Sequence, residues 1–465
     1  MPTSLGLVFF TFLVVCWLRQ RPDLSWQLSL AAPISVVLVV MGNGLEAYHF
    51  VALIAAFLLV ASRGEREGAA LLHGVHQGRR ALPGLTPLAL FVVWALIITL
   101  MGPWVFSSLP VLTPRAGIDQ TVSTPLPLRY NISNLAQGAY LILGFATVLF
   151  LAQRRRLSPH FLAPGLALAM LLTGANLLFD LLGLPWPSEF IDVDPNTRYV
   201  SYTATGEPRF RGIFGEPSGL ATWATVAVVY FFSAASRTGG WLRLTYAGLG
   251  TLSVVCLWAS ASGKAAVAGL LLVALVLLIA AYRFLTSSTK IPIGVVLSGL
   301  AALIVVAVEW SRIYGAFSSI IVDKLASQSY FVRTTADLYS LDIVVKSFGL
   351  GVGLGSNRPS SFWPGLLSTT GIIGAVLFAW ATAALIRAAW RRAEWRPTVY
   401  ALLTLLMTKS IAGSDLSTPL LWLGLGGCAY AAWRDRADEW VPSNQASSPV
   451  GRATRGDQGR TPPSN

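Results

Sequence analysis

The sequence predicts an all-α integral membrane protein of about 12–13 transmembrane helices, and three observations lead there. The chain of 465 residues is 54% hydrophobic and only 12% charged, with a mean hydropathy of +0.62. So few charges cannot cover a soluble surface. Its apolar runs are 15 to 25 residues long, the length that carries a helix across a hydrocarbon core. Lipid supplies no partner for backbone N–H and C=O groups, so each span must satisfy its own, and a helical bundle does this.

The spans are expected at about 4–18, 28–42, 48–62, 86–106, 135–152, 159–183, 217–235, 241–260, 264–286, 291–308, 364–386, 397–412 and 418–433. The first three are short enough for two of them to form a re-entrant pair or tilted half-spans. The first run, Ser4 to Leu18, lacks a basic n-region and a small-residue cleavage site, so it reads as a retained span. Residues 1–433 thus form one polytopic domain. The remainder, 434–465, is rich in Ser, Pro, Gly, Arg and Gln, buries no core, and is expected to be a disordered cytoplasmic tail.

Net charge is +13. In a soluble chain this would suggest nucleic acid; here it marks the cytoplasmic loops. Taking 19–27, 63–85, 153–158, 236–243, 283–290, 387–396 and the tail as inward places 22 of the 34 Lys and Arg residues there, with 8 acidic residues. Alternation of the spans reproduces this division, with the N-terminus outside and the C-terminus inside. Two long extracytoplasmic loops follow, at about 184–216 and 309–363. Within the second, Ser329 to Lys346 has apolar residues at helical spacing and reads as an amphipathic helix on the membrane surface. Cys16, Cys256 and Cys428 all lie in apolar segments and imply neither disulfide nor metal.

The loops carry the chemistry. In Arg209-Phe210-Arg211-Gly212-Ile213-Phe214-Gly215-Glu216-Pro217-Ser218, Pro217 suits a helix start and the glycines permit a tight turn. Arg211 offers a planar fork to phosphate oxygens, with Arg209 beside it. Glu216 lies at a helix N-terminus, whose dipole favours the carboxylate. The alternative is that Glu216 caps the helix and Arg211 anchors lipid headgroups. Lys264 ends the small-residue turn Ser260-Ala261-Ser262-Gly263-Lys264, where it either snorkels to the interface or faces an anionic substrate. Arg333 sits on the amphipathic helix. Arg358 follows Gly351-Val352-Gly353-Leu354-Gly355-Ser356-Asn357, where a flexible glycine turn would present Ser356, Asn357 and Arg358 to a sugar or a phosphate. No strand precedes these glycines, so they are no dinucleotide fingerprint. Asp415 lies in a short turn. It either caps the last helix or pairs with Lys409, which is buried at a span end and needs a partner. His49, His73, His76 and His160 fall outside the long loops, and no histidine–carboxylate set shows metal or general-base spacing. Asn131-Ile132-Ser133 matches a glycosylation sequon, a pattern short enough to arise by chance.

Together these features resemble the O-antigen polymerase/O-antigen ligase superfamily. The resemblance runs over roughly residues 130–430. It rests on Arg211-Gly212-Ile213-Phe214-Gly215-Glu216-Pro217-Ser218, the turn ending in Lys264, Arg333, and Gly349-Leu350-Gly351-Val352-Gly353-Leu354-Gly355 followed by Thr370-Gly371-Ile372-Ile373-Gly374. It implies a GT-C-like bundle in the bacterial cytoplasmic membrane. The enzyme would be an inverting glycosyltransferase that moves sugar chains from undecaprenyl pyrophosphate at the outer face, with no cofactor and no metal. It implies a pyrophosphate held by Arg211 and Arg333; the loop chemistry itself adds Arg358 and Lys264 to that role and offers Glu216 or, second, Asp415 as the proton acceptor. Membrane lipids, the lipid-linked glycan, a repeat-unit flippase and a chain-length regulator are the implied partners; nucleic acid is not. A ligase of this superfamily typically carries a histidine in its large outward loop. Residues 309–363 contain none, which favours a polymerase of repeat units. The competing class, a transporter or flippase for an anionic lipid or solute, would place charges or broken helices near the bilayer midplane.

Overall fold

A computed structural model describes residues 4–19, 22–31, 36–40, 43–61, 84–112, 125–154, 156–188, 209–260 and 328–439. Twelve α-helices are seen among them: α1 Ser4–Leu18, α2 Pro22–Ala31, α3 Ala47–Ala61, α4 Leu85–Val105, α5 Ile132–Ala152, α6 Ala163–Leu181, α7 Pro217–Ala235, α8 Gly240–Ala259, α9 Gln328–Lys346, α10 Phe362–Trp390, α11 Arg396–Ile411 and α12 Pro419–Glu439. Two short antiparallel ladders accompany them, β1 (Val36–Val40) with β2 (Asn43–Glu46), and β3 (Pro110–Val111) with β4 (Leu126–Pro127). Six of the helices, α4, α5, α6, α7, α8 and α10, are long and apolar enough to cross a membrane. The expected spans 264–286 and 291–308 and the loop portions 189–208 and 309–327 lie outside the described residues, as do 440–465.

Two expectations change. The span predicted at 28–42 is not one helix: α2 stops at Ala31, and Val36–Val40 pairs as a strand with Asn43–Glu46. Pro33 bars a continuous helix through this run, and the β-branched Val36-Val37-Leu38-Val39-Val40 suits a strand. Next, the boundary of the tail moves, because α12 continues to Glu439. As the sequence predicts for these short runs, α1 and α3 hold 15 residues each, about 22 Å of helix at 1.5 Å per residue, short of a full hydrocarbon core.

Packing follows the sequence closely elsewhere. Helix α5 lies against α3 and α12; α7 lies between α8 and α11; α10 contacts α4, α9, α11 and α12. The core joining them is apolar and aromatic, with Trp26, Tyr48, Phe91, Phe161, Phe231, Phe362, Phe378 and Trp422 fully buried. Asn131 is the N-cap of α5. Its side chain accepts from the Asn134 N–H, and the Asn134 side chain accepts from the Asn131 N–H, a reciprocal capping box. The sequon residue therefore starts a helix.

Helix α10 is broken. Gly371 has φ 71° and ψ −177°, which no helix contains. Across this break lies the segment 349–353, with Ile372 N–H donating to Gly349 O (2.8 Å), Val352 N–H to Ser368 O (2.9 Å) and Gly353 N–H to Thr369 O (2.9 Å). Trp94 Nε1 of α4 donates to Thr370 O at 2.8 Å. Backbone groups freed by the break thus find partners inside the protein, as membrane depth demands. The approach requires glycine: a Cβ on Gly351 (φ 85°) would stand 2.5 Å from the Gly371 nitrogen.

Candidate functional site

One end of the bundle gathers the polar loops. Here α4 and α11 end and α5, α7, α10 and α12 begin, the end that the charge distribution reads as outward. The glycine segment is its scaffold. It runs back from α10 to α5, where Gly355 lies against the Ser133 carbonyl. Ser356 and Asn357 follow, and both are buried. Asn134 Nδ2 donates to Ser356 Oγ and to Leu354 O, both at 2.7 Å. Asn357 Nδ2 donates to Ser340 Oγ (2.8 Å) and Ser368 Oγ (3.0 Å), and its Oδ1 accepts from Leu112 N–H (3.2 Å). The expectation that Ser356 and Asn357 face substrate is therefore corrected. Their polar groups are spent within the protein, tying α5, α9 and α10 to one loop. A buried network so fully satisfied makes this end rigid.

Asp337, which the sequence did not single out, completes the frame. Its carboxylate accepts from Ser360 N–H (2.7 Å), Ser361 N–H (3.0 Å) and Ser361 Oγ (2.5 Å). Asp337 is on α9 and the serines lead into α10, so one carboxylate fixes the two elements together. Arg333 is one turn earlier on α9, at the i, i−4 position that shares a face with Asp337, and it is exposed. Arg358 stands exposed two residues before Ser360, its backbone N–H held by Leu112 O at 2.9 Å. The clamp so brings the helix of Arg333 to the loop of Arg358.

The other motif enters α7. Pro217 occupies the first turn, and Glu216 has extended backbone at the N-cap position (φ −141°, ψ 150°). Its side chain makes no capping hydrogen bond; it accepts instead from Ser218 Oγ at 2.9 Å and is exposed. Gly212 (φ 58°) turns the chain against Thr173 of α6, so Ile213 and Phe214 bury in the core while Arg209 and Arg211 stay half-buried at its edge. Lys264 lies outside the described residues.

No family model matches this chain, and no curated protein matches it. What the site can do must be read from its own groups, and the α11–α12 turn adds the strongest of them. Lys409 Nζ, 4% exposed, donates to Asp415 Oδ1 at 2.9 Å and to Thr418 Oγ1 at 2.8 Å. Asp415 Oδ2 accepts from Ser417 and Thr418 hydroxyls. The expected pair is present. The Asp415 side chain keeps 46% of its surface accessible. Desolvation there raises the carboxyl's pKa. The Lys409 charge and the hydrogen bonds from Lys409, Thr418 and Ser417 outweigh it and hold Asp415 well below the usual carboxylate range. So anionic a group accepts protons poorly, which weakens Asp415 as a general base.

Sequence reasoning passed over a pair of residues where β2 meets α3. His49 Nδ1 is 3.8 Å from Glu46 Oε2. The His49 ring stacks on Tyr140 of α5 with centroids 4.1 Å apart. The available signal was Glu46 three residues before His49, at the point where an apolar helix starts; the short β1–β2 ladder that aims Glu46 was not visible.

Proposed function

We propose that this protein polymerises oligosaccharide repeat units carried on undecaprenyl pyrophosphate, by inverting glycosyl transfer at the end of the bundle just described. That end would face the extracytoplasmic side of a bacterial cytoplasmic membrane. One observation carries the reading: exposed Arg333 and Arg358 stand on a frame of buried hydrogen bonds at one end of an apolar bundle, the end at which half-buried Arg211 leads into α7. Transfer from a lipid pyrophosphate forms an acceptor O–C1 bond and breaks the C1–O–phosphate bond, leaving charge on the departing pyrophosphate. Preorganised cations stabilise that charge without reorganising as it forms. Arg333 and Arg358, joined through the Asp337 clamp, and Arg211 at the mouth of α7 are placed for this, with Lys264 assigned to the same role. Holding two lipid-anchored chains at one surface adds effective molarity. Among the residues read from the sequence, Glu216 retains an exposed carboxylate toward the acceptor, while Asp415 is bound to Lys409.

The second reading, a transporter for an anionic lipid or solute, draws on the break in α10. The groups freed there are taken by Gly349 and Trp94, which favours a structural break over a solute site. The deciding experiment is a gel profile of lipid-linked and surface polysaccharide from a strain lacking the gene. Single repeat units accumulating without a ladder support polymerisation; long lipid-linked chains that never reach an acceptor indicate ligation; an unchanged profile removes both.

A further inference from the structure

A groove of about 400 Å³ runs along the contact of α10 with α11, apart from the site described above. Two tryptophans bound it. Trp363 Nε1 donates to Ser410 Oγ at 2.9 Å near one end of the contact. Near the other, Trp390 packs edge-on against Tyr400, with centroids 5.2 Å apart. Between these bridges α10 presents Ala379 and Ala383, one turn apart and too small to fill the gap, while α11 presents Leu403. All three are exposed, so the groove opens sideways from the bundle.

Shape and charge limit what can lie there. About 400 Å³ spread over the roughly 18 Å of α10 between Phe378 and Trp390 gives a cross-section of roughly 20 Å². A helix with its side chains, about 10–12 Å across, needs roughly four times that. A single extended hydrocarbon chain fits. The lining is mostly apolar, but Arg387 joins it toward the end of α10 and is exposed. Among the described residues no carboxylate pairs with Arg387. The turn that follows carries Arg391, Arg392 and Arg396 against one acid, Glu394, and that acid is 3.8 Å from Arg392. Arg396 Nε donates to Trp390 O at 3.2 Å, and its guanidinium lies over the Trp390 ring. An apolar slot with a cation at its mouth suits an amphiphile with an anionic head, and a tryptophan beside it suits headgroup level.

We infer that this groove binds one anionic glycerophospholipid from the leaflet beside the α10–α11 turn. An acyl chain lies along Ala379, Ala383 and Leu403, and the phosphate sits on Arg387. Arg387 is at the opposite end of α10 from Arg358 and the Asp337 clamp. The bound anion is therefore not the lipid pyrophosphate of the proposed reaction, and the inference stands without that reading.

The test uses the full-length protein in detergent, stripped of lipid and then given phosphatidylglycerol or phosphatidylcholine with the same acyl chains. Native mass spectrometry counts the lipid bound, and thermal unfolding reads its effect. Wild type should hold phosphatidylglycerol in preference to phosphatidylcholine and melt higher with it. Arg387→Gln should weaken phosphatidylglycerol about five-fold, the contribution of one basic residue near a membrane surface, and leave phosphatidylcholine unchanged. Ala383→Trp, at an exposed position, should fill the groove and displace the lipid. If that variant does not fold, Leu403→Trp closes the same space from α11. Equal binding of the two lipids by wild type overturns the inference, as does phosphatidylglycerol binding that is unchanged in Arg387→Gln or in the filled groove. A wild type that is dimeric in detergent and becomes monomeric in Ala383→Trp overturns it too, because the groove would then belong to a second copy of the chain.

Discussion

Lys409 and Asp415 are six residues apart in sequence and meet at 2.9 Å across the end of α11, the lysine almost wholly buried. Asp415→Asn would leave a buried ammonium without its counter-charge. Fully buried pairs lose roughly 3–5 kcal/mol when one partner goes; with Asp415 half accessible, about 2–3 kcal/mol is expected here. Thermal unfolding in detergent should show it, and Lys409→Met combined with Asp415→Leu should recover most of the loss. The pH dependence follows from the depressed carboxyl. Its contribution is full above the ordinary value of 3.8 and declines only as pH falls below that. A pair that mattered little would give equal melting points for wild type and Asp415→Asn.

Gly371 offers a sharper structural test. Its positive φ, and the collision a Cβ would make with the Gly349 carbonyl, mean that Gly371→Ala must either straighten α10 or push segment 349–353 away. Left-handed strain costs roughly 1–3 kcal/mol and overpacking a similar amount, so a loss of about 3 kcal/mol is expected. A cysteine placed at Leu354, buried in the native protein, should become reactive to a membrane-impermeant maleimide in this background. Continued protection at native stability would show that the glycine is dispensable.

How much of this was legible beforehand depends on the range of the interaction. Helices α1, α3, α7 and α12 begin at or within one residue of their predicted starts, because hydropathy and Pro217 are local signals. The Lys409–Asp415 pair was legible too, since a lysine at a span end needs a nearby anion. The role of the glycine run was not. Glycine spacing reports close approach but not what approaches, and here it is the broken backbone of α10 some twenty residues on. Ser356 and Asn357 were misjudged for the same reason: their partners Asn134, Ser340 and Ser368 lie on three separate helices. Glu46 and His49 were hidden by an N-terminal run that reads as lipid-spanning but folds into a helix and a hairpin.

Asp337 separates framework from chemistry. Asp337→Asn keeps the size of the side chain but weakens three hydrogen bonds to Ser360 and Ser361, releasing the link between the Arg333 helix and the Arg358 loop. Because neither arginine is altered, any loss of rate must come from their misplacement, for which about 10²-fold is a reasonable scale. Polymer yield in vitro should fall with the protein still inserted and folded. Full activity would mean that Arg333 and Arg358 do not act together.

Arg211 tests the pyrophosphate assignment directly. Arg211→Ala should abolish polymer while the protein still reaches the membrane, since removing a preorganised cation costs roughly 10²–10³ in rate. Arg211→Lys keeps the charge and loses the planar fork, so it should be partly active if bidentate contact to phosphate oxygens matters. Repeat-unit turnover in proteoliposomes distinguishes the two effects. A headgroup anchor would behave otherwise: lysine would replace arginine without loss, and the alanine variant would show lower membrane abundance but normal turnover per molecule. Wild-type chain length from Arg211→Ala would remove this residue from the site and shift the leaving-group role to Arg333 and Arg358.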